Sequence, residues 1–390
     1  MRILITNNSL SVRAGTQLYV RDLAIGLLRR GHTPICYSPG LGEVAQEIRA
    51  ATVPVIDDLE AMAMPPDVIH GQHHLTAMTA LLHFPGVPAI YFCHGWLPWE
   101  ELPPRFPRIL RYVAVDQTCR DRLTWEQGIP DDRVRVLLNF VDLERFKSRG
   151  PLPPHPRRAL MLSNNACDQN SLRPVREACD RAGIALDVLG LAVNQVCVAP
   201  EVVIGNYDLV FAKGRSALEA LAVGTAIILC DVTGSGPMVT TENLGRLRSL
   251  NFGIRALQEP VNCSVLSREI ARYDPSDAKK VSQEIRATAG HEAVLDELLC
   301  LYREVIQEHA NSTDNMTAEH RAASAYLRAM SAGLAAKESE LDRMAGSRGM
   351  RMLHRLATMR HNVLSDVSTQ AARLFKRRAT DNRNGRKASL

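Results

Sequence analysis

The chain has 390 residues, of which 46% are hydrophobic and 23% charged, a composition typical of a globular protein with more than one domain. Its nine cysteines include no C-x-x-C pair, which argues against a disulfide scaffold or a zinc site and favours reduced thiols in the cytoplasm. No apolar run reaches the roughly 20 residues of a membrane-spanning helix, and the N-terminus lacks the apolar core of a signal peptide.

The first part of the chain alternates strand-like and helix-like segments. RILIT (2–6) precedes a polar loop, an amphipathic helix that Gly31 ends, and a returning strand, TPICYS. Further strand-like segments are DVIHG (67–71), PAIYFCHG (88–95), RYVAVD (111–116) and RVRVLLN (133–139). Strands that alternate with helices predict a parallel sheet with helices on both faces.

A proline-rich segment, KSRGPLPPHPRR (147–158), interrupts this pattern and is typical of a linker. The alternation then restarts with ALMLSN (159–164), IALDVLG (184–190), YDLVFA (207–212) and TAIILCD (225–231). The sequence therefore predicts two doubly wound α/β domains that face a cleft, with ligands at the carboxyl ends of the strands. The predicted boundaries are 1–147 for the first domain, 148–157 for the linker, 158–309 for the second domain with a closing helix, and 310–390 for a helical basic extension with a disordered end.

The turn after YDLVFA combines two cations with a predicted helix start. Lys213, Gly214, Arg215 and Ser216 follow the strand, and Glu219 is the only acid in the helix that Gly224 ends. Ser216 and Glu219 have the spacing of a capping box, so a purely structural role is one interpretation. The other is an anion site, because the helix amides and both cations predict a strongly positive turn for a diphosphate, with Glu219 on a ribose.

Three stretches resemble the motifs of glycosyltransferase family 4. GRSALEALAVGTAIILCD is similar to the family's nucleotide-sugar motif of two Glu separated by seven residues and followed by Ala-x-x-x-Gly. NFVDLERF (139–146) and the N-terminal AGTQLYVRDLAIGLLRRGH are similar to two further motifs, in the same order. The resemblance implies a GT-B fold of two Rossmann-like domains, with the donor held mainly by the second and the anomeric configuration retained.

The chain departs from the family pattern at two positions. The first Glu of the pair, which normally contacts the donor sugar, is replaced by Phe211. The usual cations are absent from SNNACDQNS (163–171), where Ser163 and Asn164 are predicted donor contacts at the strand end. Lys213 and Arg215 are expected to supply the displaced positive charge, and Glu219 keeps the ribose contact that the family implies.

Candidates in the first domain lie at strand ends. Gly15 and Thr16 form a predicted acceptor-side loop, although a helix start explains the glycine equally well. His94 follows the strand AIYFC, and the resemblance places it at the cleft as the catalytic candidate, against the alternative of a structural histidine.

For a histidine cluster and for Asp116, structural roles are favoured over catalytic or metal-binding ones. His70, His73 and His74 lie in VIHGQHH, where a cleft-lining polar turn is favoured over a metal site. Asp116 in VAVDQTCRDRL is favoured as a helix cap over a catalytic base.

Together with these residues, the resemblance implies transfer of a sugar from a UDP- or GDP-linked donor to the hydroxyl of a glycan or lipid-linked acceptor. The reaction is expected to need no metal or other cofactor and to serve polysaccharide or glycolipid biosynthesis. The alternatives are a catalytically impaired sugar-nucleotide-binding protein, which Phe211 motivates, and another GT-B enzyme such as a sugar-nucleotide epimerase.

Residues 341–390 hold 12 basic and 3 acidic residues. This basic tail predicts either a packed helix with a solvated face or peripheral contact with an anionic inner membrane surface, and it carries no nucleic-acid motif.

Overall fold

The first sheet organises the N-terminal lobe of the computed structural model, which describes residues 1–312 and 315–345. Its strands are β1 (Arg2–Thr6), β2 (Thr33–Tyr37), β3 (Val55–Ile56), β4 (Val68–Gln72), β5 (Ala89–Cys93), β6 (Ile109–Ala114) and β7 (Val134–Val136). The helices between them are α1 (Gly15–Arg29), α2 (Glu43–Ala50), α3 (His74–His83) and α4 (Gln117–Asp121). The strand order is β3-β2-β1-β4-β5-β6-β7 with parallel pairing throughout, which confirms the predicted doubly wound sheet.

The second sheet organises the C-terminal lobe. Its strands are β8 (Arg158–Leu162), β9 (Ala185–Leu189), β10 (Leu209–Ala212), β11 (Ala226–Asp231) and β12 (Gly234–Met238). The accompanying helices are α5 (Leu172–Arg181), α6 (Pro200–Val203), α7 (Gly214–Val223), α8 (Leu244–Ser249), α9 (Cys263–Ile270) and α10 (Pro275–Thr288). The order is β12-β11-β10-β8-β9, and only the edge strand β12 is antiparallel among these pairs. An edge position accommodates Pro237 because its missing amide hydrogen faces no partner strand.

The faces of β10 and β11 decide which side chains reach α7. Val210 and Ala212 of β10 pack in one hydrophobic cluster with the apolar side of α7. Phe211 points the other way, into a cluster with Met161 and Ile228, and is fully buried. Alternation along a strand therefore places position 211 in the core on the face away from α7.

A long helix, α11 (His291–Ala310), returns from the C-terminal lobe to the N-terminal lobe. It crosses α1 at Gly26, where a β-carbon would come within 2.2 Å of the His291 ring. Further along α11, the hydroxyl of Tyr302 shares a hydrogen bond of 2.6 Å with the ring nitrogen Nδ1 of His70, on β4. The absent side chain at Gly26 thus permits a close helix contact that joins the two halves of the chain.

No helix or strand lies between β7 and β8 in the structure. The segment is nevertheless attached to the C-terminal lobe. The Arg149 amide donates to the carbonyl of Val223 over 2.8 Å, and the Tyr273 hydroxyl donates to the carbonyl of Pro153 over 2.9 Å. The boundaries at 147 and 158 remain predictions.

The chain divides into a unit of Met1–Met316 and a second unit from Thr317 onward. In the second unit, α12 (Met316–Ala345) confirms the predicted helix over its first part. The predictions for the rest of that helix, for most of the basic tail and for the disordered end fall outside the described residues. Across the described ranges, no helix combines the length and hydropathy that crossing a bilayer requires.

Candidate functional site

A cavity of about 490 Å³ lies between the two lobes at the carboxyl ends of several strands. From the N-terminal lobe it is lined by the predicted residues Gly15, Thr16 and His94. From the C-terminal lobe it is lined by the predicted residues Ser163, Asn164, Lys213, Gly214, Arg215 and Ser216. Glu219 is the one member of the predicted set that does not line it. Residues separated by about 200 positions in sequence are therefore brought to one site by the two parallel sheets.

The start of α7 forms part of the cavity wall. Strand β10 ends at Ala212 and α7 begins at Gly214, so Lys213 alone connects them. Gly214 has a φ of +56°, a left-handed conformation that favours glycine, and its amide donates to the carbonyl of Phe252 over 2.8 Å. The following first-turn amides have no intrahelical acceptor, which makes this end of the helix attractive to an anion.

The predicted capping box is wrong. The N-cap residue of α7 is Lys213, and no side chain caps the helix. Glu219 instead accepts a hydrogen bond of 2.7 Å from Nε of Arg215, one helical turn earlier. The strand runs into the helix with only one connecting residue, so Ser216 falls inside the first turn and cannot occupy the N-cap position.

Lys213 is paired with a carboxylate that sequence reasoning missed. Its Nζ lies 2.7 Å from Oδ2 of Asp231, the last residue of β11, and the Ser163 hydroxyl donates to Oδ1 over 2.6 Å. Burial alone would raise the pKa of Asp231, but the hydrogen bonds from Lys213 and Ser163 lower it. The signal was available in TAIILCD, because a polar residue that ends a buried strand of a parallel sheet lies at the ligand edge.

Arg215 bridges the two lobes. Its guanidinium contacts Asp22 of α1 and Glu219 of α7, and its side chain is 13% exposed. Asp22 also binds Arg21 and Arg145, with nitrogen–oxygen distances of 2.7 and 3.3 Å. Burial alone would raise the pKa of Asp22, but the three guanidiniums together lower it to about 2. Burial raises the pKa of Glu219 despite its contact with Arg215.

The predicted strongly positive turn is also wrong in its electrostatics. Two cations, Lys213 and Arg215, line the cavity together with two acids, Asp116 and Asp231. Each cation already has a carboxylate partner within the protein. The cavity lining therefore has no net positive charge from these four side chains. An anion there would be attracted by the α7 amides and by the cationic side of each ion pair.

His94 presents a neutral ring to the cavity. The ring lies 4.7 Å from that of Tyr19, edge to face, and 5.7 Å from that of Phe92, stacked. Burial, together with the proximity of His73, lowers the pKa of His94 to about 3. Within the described part of the chain, its Nε2 has no hydrogen-bond partner. A neutral imidazole with so low a pKa can form hydrogen bonds but is a weak base and does not act as a cation near pH 7.

A buried carboxyl group, Glu101, supports the backbone at His94. It accepts a hydrogen bond of 2.9 Å from the His94 amide and lies 3.6 Å from Nε2 of His73. Burial raises the pKa of Glu101 to about 7, although the His94 amide and Arg122 oppose the change. This group was missed because WEE (99–101) follows a loop with no periodicity that distinguishes a buried acid from an exposed one.

The histidine cluster does not line the cavity, contrary to the predicted cleft-lining turn. His70, His73 and His74 are buried and absent from its lining, and the ring of His70 stacks on Phe92 at 4.2 Å between centroids. Within residues 1–312 and 315–345, no three His, Cys, Asp or Glu side chains are grouped to hold a metal ion. Asp116 caps α4 by accepting from the Cys119 amide over 2.7 Å, which confirms its predicted structural role.

Comparisons with known proteins agree with the sequence resemblance. The family model Glycosyltransferase Family 4 matches residues 13–145. A glycosyltransferase from Rickettsia africae has a similar structure, with a TM-score of 0.58, 16% identity, and coverage of 80% of this chain and 99% of that one. Anabaena HepE, solved in complex with UDP and glucose, gives a TM-score of 0.54 with 12% identity, and coverage of 78% and 100%.

Two further structures share the fold. The sucrose-phosphate synthase of Thermosynechococcus elongatus gives a TM-score of 0.52 with 12% identity, and coverage of 79% and 99%. A putative UDP-N-acetylglucosamine 2-epimerase from Listeria monocytogenes gives 0.50 with 13% identity, and coverage of 80% and 98%. No curated protein sequence matches the chain. The resemblance to glycosyltransferase family 4 is thus confirmed in the N-terminal lobe, and the two lobes have the GT-B fold of glycosyltransferases.

Proposed function

We propose that this protein is a glycosyltransferase that moves a sugar from a UDP- or GDP-linked donor to an acceptor hydroxyl. The single observation that carries the proposal is the cavity between the lobes, where the amide end of α7 meets the strand ends of both sheets. Cavities at the carboxyl ends of parallel strands are the usual ligand sites of such sheets. The match to glycosyltransferase family 4 makes a nucleotide sugar the favoured ligand.

In this proposal the donor diphosphate lies at the first turn of α7. The amides there and the ammonium of Lys213 stabilise the negative charge that develops on the leaving diphosphate, without a metal ion. Ser163 and Asn164 face the same space from the end of β8. Glu219 acts indirectly, because it holds the Arg215 guanidinium and lies outside the cavity lining.

The acceptor, a glycan or a lipid-linked sugar, enters from the N-terminal lobe beside Gly15 and Thr16. His94 lines that side of the cavity with a neutral ring, so it is placed to orient the acceptor beside the transferred sugar. Retention of the anomeric configuration follows from the family resemblance. We expect the sugar product to serve polysaccharide or glycolipid synthesis.

A second candidate is a protein that binds sugar nucleotides without transferring the sugar. The burial of Phe211 in the core favours it, because no carboxylate stands at the motif position that normally contacts the donor sugar. A third is epimerisation of a sugar nucleotide, since a putative epimerase shares the fold at a TM-score of 0.50.

One experiment separates the three candidates. The protein is incubated with UDP-glucose, UDP-N-acetylglucosamine and GDP-mannose, each with and without simple glycan acceptors, and the products are separated by chromatography. We expect acceptor-dependent release of UDP or GDP, lowered at least tenfold in turnover by His94→Ala with donor affinity unchanged. Binding without release would support the second candidate, and an interconverted sugar nucleotide the third.

We also propose that the basic tail, residues 341–390, holds the protein at an anionic membrane surface in the cytoplasm. The tail has a net charge of +9, while residues 1–340 have −4. Each basic residue near such a surface contributes about 1 kcal/mol, and salt screens it. We expect the full chain to float with phosphatidylserine vesicles at low salt and not at high salt, and truncation after Met344 to abolish flotation. Nucleotide binding by the truncated chain is the control, and absence of flotation at low salt would contradict the proposal.

A further inference from the structure

Asp231 is a buried carboxylate that faces the cavity and that no part of the proposed transfer reaction yet uses. It is 1% exposed and ends β11, two residues beyond Leu229, which pairs in register with Ala212 at the end of β10. Because Asp231 and Leu229 are two positions apart, they lie on the same face of the sheet, the face against which α7 packs. The carboxylate therefore stands beside the start of α7.

The contacts of Asp231 fix its position firmly. The ammonium of Lys213 lies 2.7 Å from Oδ2, and the Ser163 hydroxyl donates to Oδ1 over 2.6 Å. All three residues line the cavity. The Val232 amide also donates to this carboxylate. Because a carboxylate offers about four acceptor positions, these three contacts still leave room for a hydrogen bond from a ligand.

The chemistry of this group selects its partner. An ionised carboxylate accepts hydrogen bonds and repels phosphate oxygens, so it is matched to hydroxyl groups. Lys213 attracts the diphosphate, and Asp231 beside it attracts the hydroxyls of the attached sugar. The pair is thus complementary to a nucleotide sugar, in which an anionic diphosphate is joined to a sugar rich in hydroxyl groups.

We propose that Asp231 recognises hydroxyl groups of the transferred sugar, in place of the motif carboxylate that Phe211 cannot supply. The inference rests on the proposed nucleotide-sugar function. It assigns to Asp231 the protein's preference for the intact donor over the free nucleoside diphosphate. The alternation of side chains along a strand explains why position 231, and not position 211, can supply the carboxylate. Position 211 of β10 points into the core away from α7, whereas position 231 of β11 points to the α7 face and ends at the cavity.

The test compares the affinities of free and sugar-bearing nucleotides by titration calorimetry. UDP and UDP-glucose form one probe pair, and GDP and GDP-mannose the other. Asp231→Asn is expected to bind the free diphosphate as tightly as wild type or more tightly, because Lys213 loses its counter-ion. It is expected to lose at least tenfold of the preference for the sugar-bearing member. Asp231→Glu, which keeps the charge but moves the carboxylate, should lose the same preference with diphosphate affinity unchanged.

Asp187→Asn is the matched control, because Asp187 lies on β9, is 53% exposed in its side chain and pairs with Arg158 away from the cavity. Its nucleotide preference should equal that of wild type. If wild type binds neither member of either pair, the proposed function and the inference both fail. If wild type prefers the sugar-bearing member and both Asp231 variants keep that preference while folded by circular dichroism, only the inference fails.

Discussion

Glu101 illustrates how one buried acid can link the site to the stability of the lobe. The residue is 3% exposed, and its carboxyl group accepts from the His94 amide and lies beside His73 and Arg122. Burial raises its pKa from 4.5 to about 7. The folded protein therefore keeps Glu101 protonated between about pH 4.5 and 7, where the unfolded chain has already released the proton. Across that range the folded state binds more protons, so the contribution of Glu101 to the free energy of unfolding falls as pH rises.

Glu101→Gln is expected to be neutral near pH 4 and increasingly stabilising relative to wild type as pH rises to 8. The pKa difference corresponds to about 3 kcal/mol at most, and the glutamine oxygen still accepts from the His94 amide. Urea unfolding at pH 4, 6 and 8 measures the difference. Glu100→Gln, at a partly exposed neighbouring position, is the control for the chemical change. A Gln variant whose advantage does not grow with pH would show that Glu101 is ionised in the folded protein.

At the scale of elements, the apolar runs were sufficient to predict most of both sheets. Buried parallel strands such as AIYFC and AIILCD are apolar along nearly their whole length, which identifies them in sequence. Strand β12 was not predicted, because GSGPM contains two glycines and a proline and is stable only as an edge partner of β11. The start of α7 was placed wrongly because the loop between β10 and α7 is a single residue.

The partners of the site residues were not predictable from the sequence. Asp22 and Arg215 are 193 positions apart, and their contact depends on how the two lobes meet. Lys213 and Asp231 meet because neighbouring strands end at the same edge, which required the strand order as well as the strands. Residue types at strand ends therefore predicted which residues line the cavity, while the charge balance of that lining emerged only from the three-dimensional arrangement.

At the scale of the whole molecule, Asp22 joins the two lobes behind the cavity. It lies on α1 of the N-terminal lobe and is shared by Arg215 of the C-terminal lobe and Arg145 of the segment between them. Asp22 is 6% exposed, so solvent cannot replace a lost partner. Removal of one member of a buried ion pair typically costs about 3–5 kcal/mol, because the other charge stays buried without compensation.

Asp22→Asn should therefore lower the free energy of unfolding by about 3 kcal/mol at pH 7. The pKa of Asp22 is lowered from 3.8 to about 2, so its stabilising contribution is complete above about pH 4 and is lost as pH falls through 2. The difference between variant and wild type should shrink over the same range. A double-mutant cycle with Arg215→Met isolates the contact, and we expect the double variant to lose less than the two single losses together, because each single change removes the same Asp22–Arg215 ion pair. Glu177→Gln, which breaks the exposed Arg173–Glu177 pair, should cost under about 1 kcal/mol at any pH. A loss at Asp22 no larger than at Glu177, and no coupling to Arg215, would mean that the lobes are held together by their apolar contacts and that this network contributes nothing measurable.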